Sequence, residues 1–193
     1  HEHFSCLSLG TVRPIFSKNG LRVFDVEELS THGGSLRVYG CLANSTRQEM
    51  DSVPRIQKNE TDFGLDQELV YSGFQERADK IKDDFLEFLI QAKRDRKKVV
   101  GYGAAAKGNT LLNYAGVKKD LIAYVCDAAD AKQGKYLPGV HIPILPPSSL
   151  KDDRPDYVVI FPWNIVAEIT DQLAYLRAYG TKFVIAVPSI KVF

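Results

Sequence analysis

The sequence predicts a doubly wound α/β domain, a Rossmann-like parallel sheet with helices on both faces, preceded by a helix and an antiparallel hairpin. Three observations carry this. Beyond Gln67, short apolar runs alternate with segments whose apolar residues recur at steps of three and four. One such run, Lys97-Lys-Val-Val100, leads into the small-residue turn Gly101-Tyr-Gly-Ala-Ala-Ala-Lys-Gly-Asn-Thr110, where a strand would become a helix. Residues 1–45 break the rhythm, with two extended segments on either side of a Gly-Gly turn.

Taken in order, residues 4–18 predict a helix closed by Asn19-Gly20. Residues 21–26 and 35–42 predict the two strands of a hairpin around Ser30-Thr-His-Gly-Gly34. A helix and two strands hold no core of their own, so this group must pack on the α/β domain, on a second copy, or on a further part of the protein. Residues 44–66 are mostly polar and include Ser, Thr, Asn and Pro, which predicts a linker. The expected division is thus a hairpin group at 1–45, a linker at 46–66 and the α/β domain at 67–193. Phe74, Ala78, Ile81, Phe85, Phe88 and Ala92 predict one amphipathic helix over about 66–94. After the strand ending at Gly101 come a helix from Lys107, a strand at 121–125, a loop rich in Gly and Pro and a strand at 157–161. A helix carrying Ile165, Ile169, Leu173 and Leu176, then a strand at 183–187, complete the chain. Right-handed crossovers bring the carboxyl ends of all these strands to one edge.

The composition excludes several classes. The 193 residues suit one domain with an appendage. With 25 Lys and Arg against 24 acids, the net charge of +1 gives no global field toward nucleic acid or an anionic membrane. No apolar run approaches the roughly 20 residues that cross a bilayer. Cys6, Cys41 and Cys126 are widely spaced among apolar neighbours, which predicts buried thiols in a reducing, cytoplasmic setting and no zinc or disulfide framework. No signal peptide is expected from the residues present. The chain begins at His1, within what reads as a motif and without an initiator methionine, so a fragment is expected.

The turn at Gly101 is the strongest chemical signal. Glycine at 101 and 103 lets backbone approach backbone or ligand, and the first amides of the next helix point back at the turn, as in a phosphate site. The spacing matches neither the dinucleotide fingerprint nor the Walker loop, so it leaves the ligand class open; close helix packing explains small residues equally well. Asp127 ends the next strand, 24 residues beyond Gly103, where an acid can accept from a ribose or simply cap a turn. Lys132-Gln-Gly-Lys-Tyr-Leu-Pro-Gly139 brings Lys135 and Tyr136 toward the same edge. Pro162-Trp-Asn164 brings Trp163, able to stack on a flat base or pyranose, and Asn164. Glu2 and His3 are an adjacent carboxylate and imidazole, an acid/base pair if both reach one substrate. His32 lies in the Gly-Gly turn beside Ser35 and Arg37, where it could meet a phosphate or a sugar hydroxyl.

Several blocks together resemble a known family. Glu2-His-Phe-Ser, His32-Gly-Gly-Ser-Leu-Arg37, the run from Gly101 to Asn113, the run from Lys132 to Ile144 and Pro162-Trp-Asn164 look like the C-terminal half of the sugar C-methyltransferases, nearly end to end. The resemblance implies an enzyme that uses S-adenosylmethionine to methylate a carbon of a nucleotide-linked keto-deoxysugar. It also implies a central methyltransferase domain and an N-terminal zinc-binding domain outside this chain. His3 is then the implied base that removes the proton next to the keto group, with Glu2 orienting it, and residues 4–42 close the methyltransferase domain. Gly101, Tyr102, Gly103, Lys107 and Asn109 would face the diphosphate or nucleotide, with Lys107 as the cation. No glycine-rich S-adenosylmethionine loop precedes His3 and no cysteine cluster is present, so the chain by itself is expected to bind the nucleotide-sugar without transferring methyl. Two rival readings differ in class. One is a Rossmann oxidoreductase using the Gly101 turn and Asp127 for a nicotinamide cofactor. The other is a non-catalytic module whose orphan hairpin edge forms a homodimer.

Overall fold

A computed structural model of the chain describes residues 5–31 and 34–193. It divides into two compact units, residues 1–75 and 76–193.

In the first unit, Ser8 opens helix α1 (Leu9–Lys18) by accepting the Thr11 amide at 3.1 Å. The amides of Leu9 and Gly10 donate to the two oxygens of Glu60, at 2.6 and 2.8 Å, so a carboxylate satisfies the positive end of the helix. Asn19 and a left-handed Gly20 end it, as the sequence predicts. Strands β1 (Leu21–Leu29) and β2 (Ser35–Leu42) form the expected antiparallel hairpin, with Val26 opposite Val38 and an irregularity between Val23 and Asp25.

The linker expectation needs correction here. Residues 52–63 form helix α2 (Ser52–Phe63), which buries Val53 and Ile56 with Leu9, Val23 and Val26 in a small core. The polar composition hid it because a helix needs only two apolar positions three apart to contribute to so small a cluster. The long helix expected over 66–94 is two helices, α3 (Glu68–Ser72) and α4 (Phe74–Arg94), interrupted at Gly73.

In the second unit, six strands form one sheet: β3 (Val99–Tyr102), β4 (Val125–Cys126), β5 (Ile144–Leu145), β6 (Tyr157–Ile160), β7 (Lys182–Ile185) and β8 (Lys191–Val192). Their spatial order is β5-β4-β3-β6-β7-β8, parallel except for β8, which pairs antiparallel with β7. Numbered within this sheet alone, that is the Rossmann order 3-2-1-4-5-6. The strand expected at 121–125 lies later and is short, although the Ala123 amide still donates to the Val99 carbonyl at 3.1 Å along the same ladder. Strand β8 lies beyond the last predicted element.

Each face of the sheet has its own layer. Phe85, Leu89 and Ala92 of α4 and Leu111 and Leu112 of α5 (Ala106–Tyr114) bury against Val99, Val125 and Val159. Leu150 of α6 (Ser149–Asp153) and Ile169 of α7 (Val166–Gln172), with Leu173 and Leu176, bury against Val100, Val158 and Phe183. The closing helix is shorter than expected, with 3-10 segments at Trp163–Ile165 and Ala174–Tyr179 on either side of α7. Strand alternation decides which layer each site residue meets: Val99 and Gly101 face the α4 and α5 layer, Val100 and Tyr102 the α6 and α7 layer. Of the cysteines, Cys126 is buried, Cys41 half-buried and Cys6 exposed, so burial is as expected for the first alone. No helix among the described residues is long and apolar enough to cross a membrane.

Candidate functional site

Strands β3 and β6 are neighbours whose following connections leave in opposite directions, and ligands of open α/β sheets bind outside the carboxyl ends at such a switch point. Two loops meet there: the turn at 103–105 after β3 and Pro162-Trp-Asn164 after β6.

The glycines of the first loop make this meeting close. Gly103 has φ +88, and a Cβ on it would lie 2.4 Å from Pro162 Cδ. Gly108, in the first turn of α5, lies against Phe161, where a Cβ would stand 2.5 Å from the Phe161 Cβ. Gly101 faces the same ring, its Cβ position 2.6 Å from Phe161 Cε2 and 2.8 Å from Val125 Cγ2. Gly101 therefore serves helix and strand packing, one of the two uses left open by the sequence.

Above this packing, α5 begins at Ala105 with no side-chain cap. The Ala105 amide turns back to the Gly103 carbonyl at 2.8 Å, and the first intrahelical bond is Asn109 N–H to the Ala105 carbonyl at 3.0 Å. The amides of Ala106, Lys107 and Gly108 are left as first-turn donors at the positive end of the helix. Lys107 extends across to the second loop: its ammonium donates to Asn164 Oδ1 and lies 4.9 Å from the centroid of the Trp163 ring. Partial burial lowers the Lys107 pKa, and no carboxylate among the described residues pairs with it. The result is a cation held by a neutral amide and an aromatic face beside free helix amides.

The other flank of the turn is closed. Asp127, 8% exposed, accepts the Ala104 amide at 2.7 Å and the Lys132 ammonium at 3.0 Å on Oδ2, and the Ala129 amide at 2.8 Å on Oδ1. Burial alone would raise its pKa, but the Ala129 amide, Lys132 and the Ala104 amide outweigh that and hold the carboxyl below its ordinary range. Lys132 also donates to the Ala104 carbonyl at 3.1 Å, and Gln133 donates to the Asp127 carbonyl at 3.0 Å. Asp127 thus ties the loop after β4 to the turn after β3. Lys132 was one of the two ammonium groups the sequence placed at this edge, but its role as a brace on Asp127, and that of Gln133, was missed. Their signal was position: a lysine and an amide five and six residues after a strand-ending aspartate.

The remaining candidates disperse. Asn109 lies on the far flank of α5, where its side-chain oxygen faces Asn113, which in turn donates to the Pro138 carbonyl at 3.0 Å. Lys135 and Tyr136 belong to an exposed reversal in which Ile144 N–H donates to the Lys135 carbonyl and Tyr136 stacks on His141 at 5.9 Å. Tyr102 is buried beneath the sheet edge in the α6 and α7 layer, away from Lys107's side of the strand. In the first unit, Arg37 lies directly opposite Glu27 across the hairpin and pairs with it at 2.9 Å. Glu2, His3 and His32 lie outside the described residues. Among the described residues no group of three or more His, Cys, Asp or Glu could hold a metal ion.

This order of strands, with a glycine turn and a lysine at its switch point, defines a Rossmann-like doubly wound domain. The chain belongs to the C-methyltransferase C-terminal domain family, whose model matches residues 30–188. A curated relative, the C-methyltransferase NovU of Streptomyces niveus, is 34% identical over 192 residues, an alignment covering 100% of this chain and 46% of the relative. The chain therefore spans less than half the length of that relative.

Proposed function

We propose that this chain is the C-terminal part of a methyltransferase that uses S-adenosylmethionine to methylate a carbon of a nucleotide-linked keto-deoxysugar, and that the crevice at the carboxyl ends of β3 and β6 holds the sugar nucleotide. Membership of the C-methyltransferase family and the likeness to NovU support the reaction class. The observation that carries the binding role is Lys107: an ammonium with no carboxylate partner among the described residues, at a helix N-terminus, over an indole face, at the switch point. In this reading the diphosphate takes the Lys107 ammonium and the amides of Ala106 to Gly108, and Trp163 stacks on the base or the pyranose. Asn164 holds the lysine ready, while Gly103, at φ +88, keeps the crevice narrow.

The chemistry asks for a base as well as a seat. A carbon next to a ketone becomes nucleophilic toward a sulfonium methyl only after losing a proton. His3 fits that role in the full enzyme, with Glu2 orienting its ring, while residues 9–42 supply the last helix and closing hairpin of the catalytic domain. S-adenosylmethionine would be held elsewhere in the full-length enzyme, so this chain alone binds sugar nucleotide without methyl transfer. Asp127 does not favour the dinucleotide alternative, since both its oxygens already accept from Ala104, Ala129 and Lys132.

Calorimetry of the chain with a thymidine-diphosphate sugar tests this. Binding is expected, and Lys107→Ala should weaken it by about 1.5–3 kcal/mol, the scale of a lost charge-assisted hydrogen bond. Equal affinity for the two proteins would remove Lys107 from the site.

A further inference from the structure

The layer under the sheet holds a second cavity that the sugar-nucleotide reading does not use. The crossover from β5 to β6 contains only the five-residue helix α6, too short to cover the sheet face it passes over. A groove of about 540 Å³ remains between Pro147-Ser-Ser-Leu-Lys151 on one side and Gln172, Leu173, Tyr175 and Tyr179 on the other. That volume lies in the range of small-molecule sites.

Tyr102 forms its floor. The residue is 8% exposed, and its hydroxyl has no hydrogen-bond partner among the described residues. No buried side-chain oxygen or nitrogen among the described residues is left unsatisfied, so this hydroxyl reaches the open groove. A phenol sunk to that depth is a neutral donor, because burial raises its pKa. Leu173 and Pro147 give apolar walls, and the rings of Tyr175 and Tyr179 stand half-exposed at the sides. One cation lies on the rim, Lys151, which has no ion-pair partner among the described residues, and the Arg154 guanidinium packs 4.4 Å from the Tyr179 ring centroid. Of the carboxylates around the groove, Asp153 accepts from Tyr124 and Lys98, Glu168 accepts from Gln172 of the groove wall, and Asp152 and Asp171 adjoin Lys151 and Gln172 in the chain.

From this arrangement we infer that the groove between α6 and α7 is a second ligand site that takes a small planar aromatic acid. Its ring lies between the tyrosines, its acid group faces Lys151, and an acceptor on the ring reaches the Tyr102 hydroxyl. Flat rings gain from offset or edge contacts with tyrosine faces. The Lys151 ammonium, in no ion pair among the described residues, favours an anion over a neutral ring. No residue that lines the groove belongs to the Lys107 crevice, so occupation of one leaves the other free.

The test uses salicylate, titrated into the chain by calorimetry and by amide NMR. Shift changes should centre on Tyr102, Leu173 and Tyr175. Tyr102→Phe removes one oxygen and should weaken binding about fivefold. Lys151→Met, a change at an exposed side chain that leaves the core untouched, should weaken it by a similar factor. Lys107→Ala should bind salicylate as the unsubstituted chain does, which separates this site from the sugar-nucleotide site. Shifts centred on Lys107 and Trp163, no binding at all, or full affinity in both Tyr102→Phe and Lys151→Met would overturn the assignment.

Discussion

On the β4 side of the turn after β3, the Ala104 amide and the Lys132 ammonium close on the Asp127 carboxylate; on the β6 side, Lys107 meets, among the described residues, the neutral Asn164 amide and the face of Trp163. Both flanks have a lysine near a helix N-terminus. On one flank the chain supplies the anion, so donors and acceptors are satisfied internally and the loop after β4 is fixed. On the other flank no carboxylate among the described residues meets the cation. The difference teaches that one half of the turn is framework, braced by a carboxylate the chain supplies, while in the proposed reading the other half takes its anion from the ligand.

The change expected to disturb this comparison most is Gly103→Ala, because Gly103 is the hinge between the flanks. Its φ of +88 disfavours any Cβ, and that Cβ would meet Pro162 Cδ at 2.4 Å. Strain and overpacking together should cost roughly 2–4 kcal/mol in a denaturant titration. A wild-type midpoint would mean that the two loops are not packed as closely as described. Next in size is Asp127→Asn, which puts a donor where three donors converge and should cost about 1.5–3 kcal/mol. The pH dependence has a definite sign. The folded-state pKa of Asp127 is lowered, so its contribution is complete above the ordinary carboxylate value of about 4 and is lost as pH falls through the folded-state value. Asp127→Asn should flatten the acid limb of the stability curve, and an unchanged limb would show that the carboxylate does not brace the turn. Lys132→Ala should cost less, about 0.5–1 kcal/mol, because its side chain is 46% exposed and two backbone amides still hold Asp127.

The sequence made the framework legible where periodicity was long or turn chemistry strict. Apolar residues of α4 at steps of three and four, the apolar runs at β3, β6 and β7, and the Asn19-Gly20 stop of α1 all stand where expected. Helix α2 was not legible from hydropathy, because Val53 and Ile56 are its only buried positions. Its boundaries were: Asp51 and Ser52 before Pro54 in the first turn, and Gly64 in a left-handed stop at φ 86. Lys107 and Trp163 could each be named from the chain, yet their contact depends on β3 and β6 being neighbours, a long-range pairing that no local pattern encodes. The same holds for Asp127. Its place after a strand was visible, but the choice between ribose acceptor and turn brace depended on the Ala104 amide, 23 residues away. Gly101 fell to packing for a similar reason, since Phe161 is brought against it only by the sheet.

The smallest effect on the fold should come from Lys107→Ala, and this is the sharpest form of the comparison. Partial burial lowers the Lys107 pKa, so the folded chain holds this ammonium at a slight disadvantage relative to water, the reverse of Asp127. Its contacts are one amide oxygen and one aromatic face, weak compensation at a partly exposed site. Removing it should change unfolding stability by less than about 0.5 kcal/mol, while Lys132→Ala on the opposite flank changes it more. A loss of sugar-nucleotide affinity in Lys107→Ala then reflects a lost ligand contact, because the turn that carries it is intact. If Lys107→Ala instead destabilised the chain as much as Asp127→Asn, both flanks would be framework, and the crevice between β3 and β6 would have lost the free cation that distinguishes it.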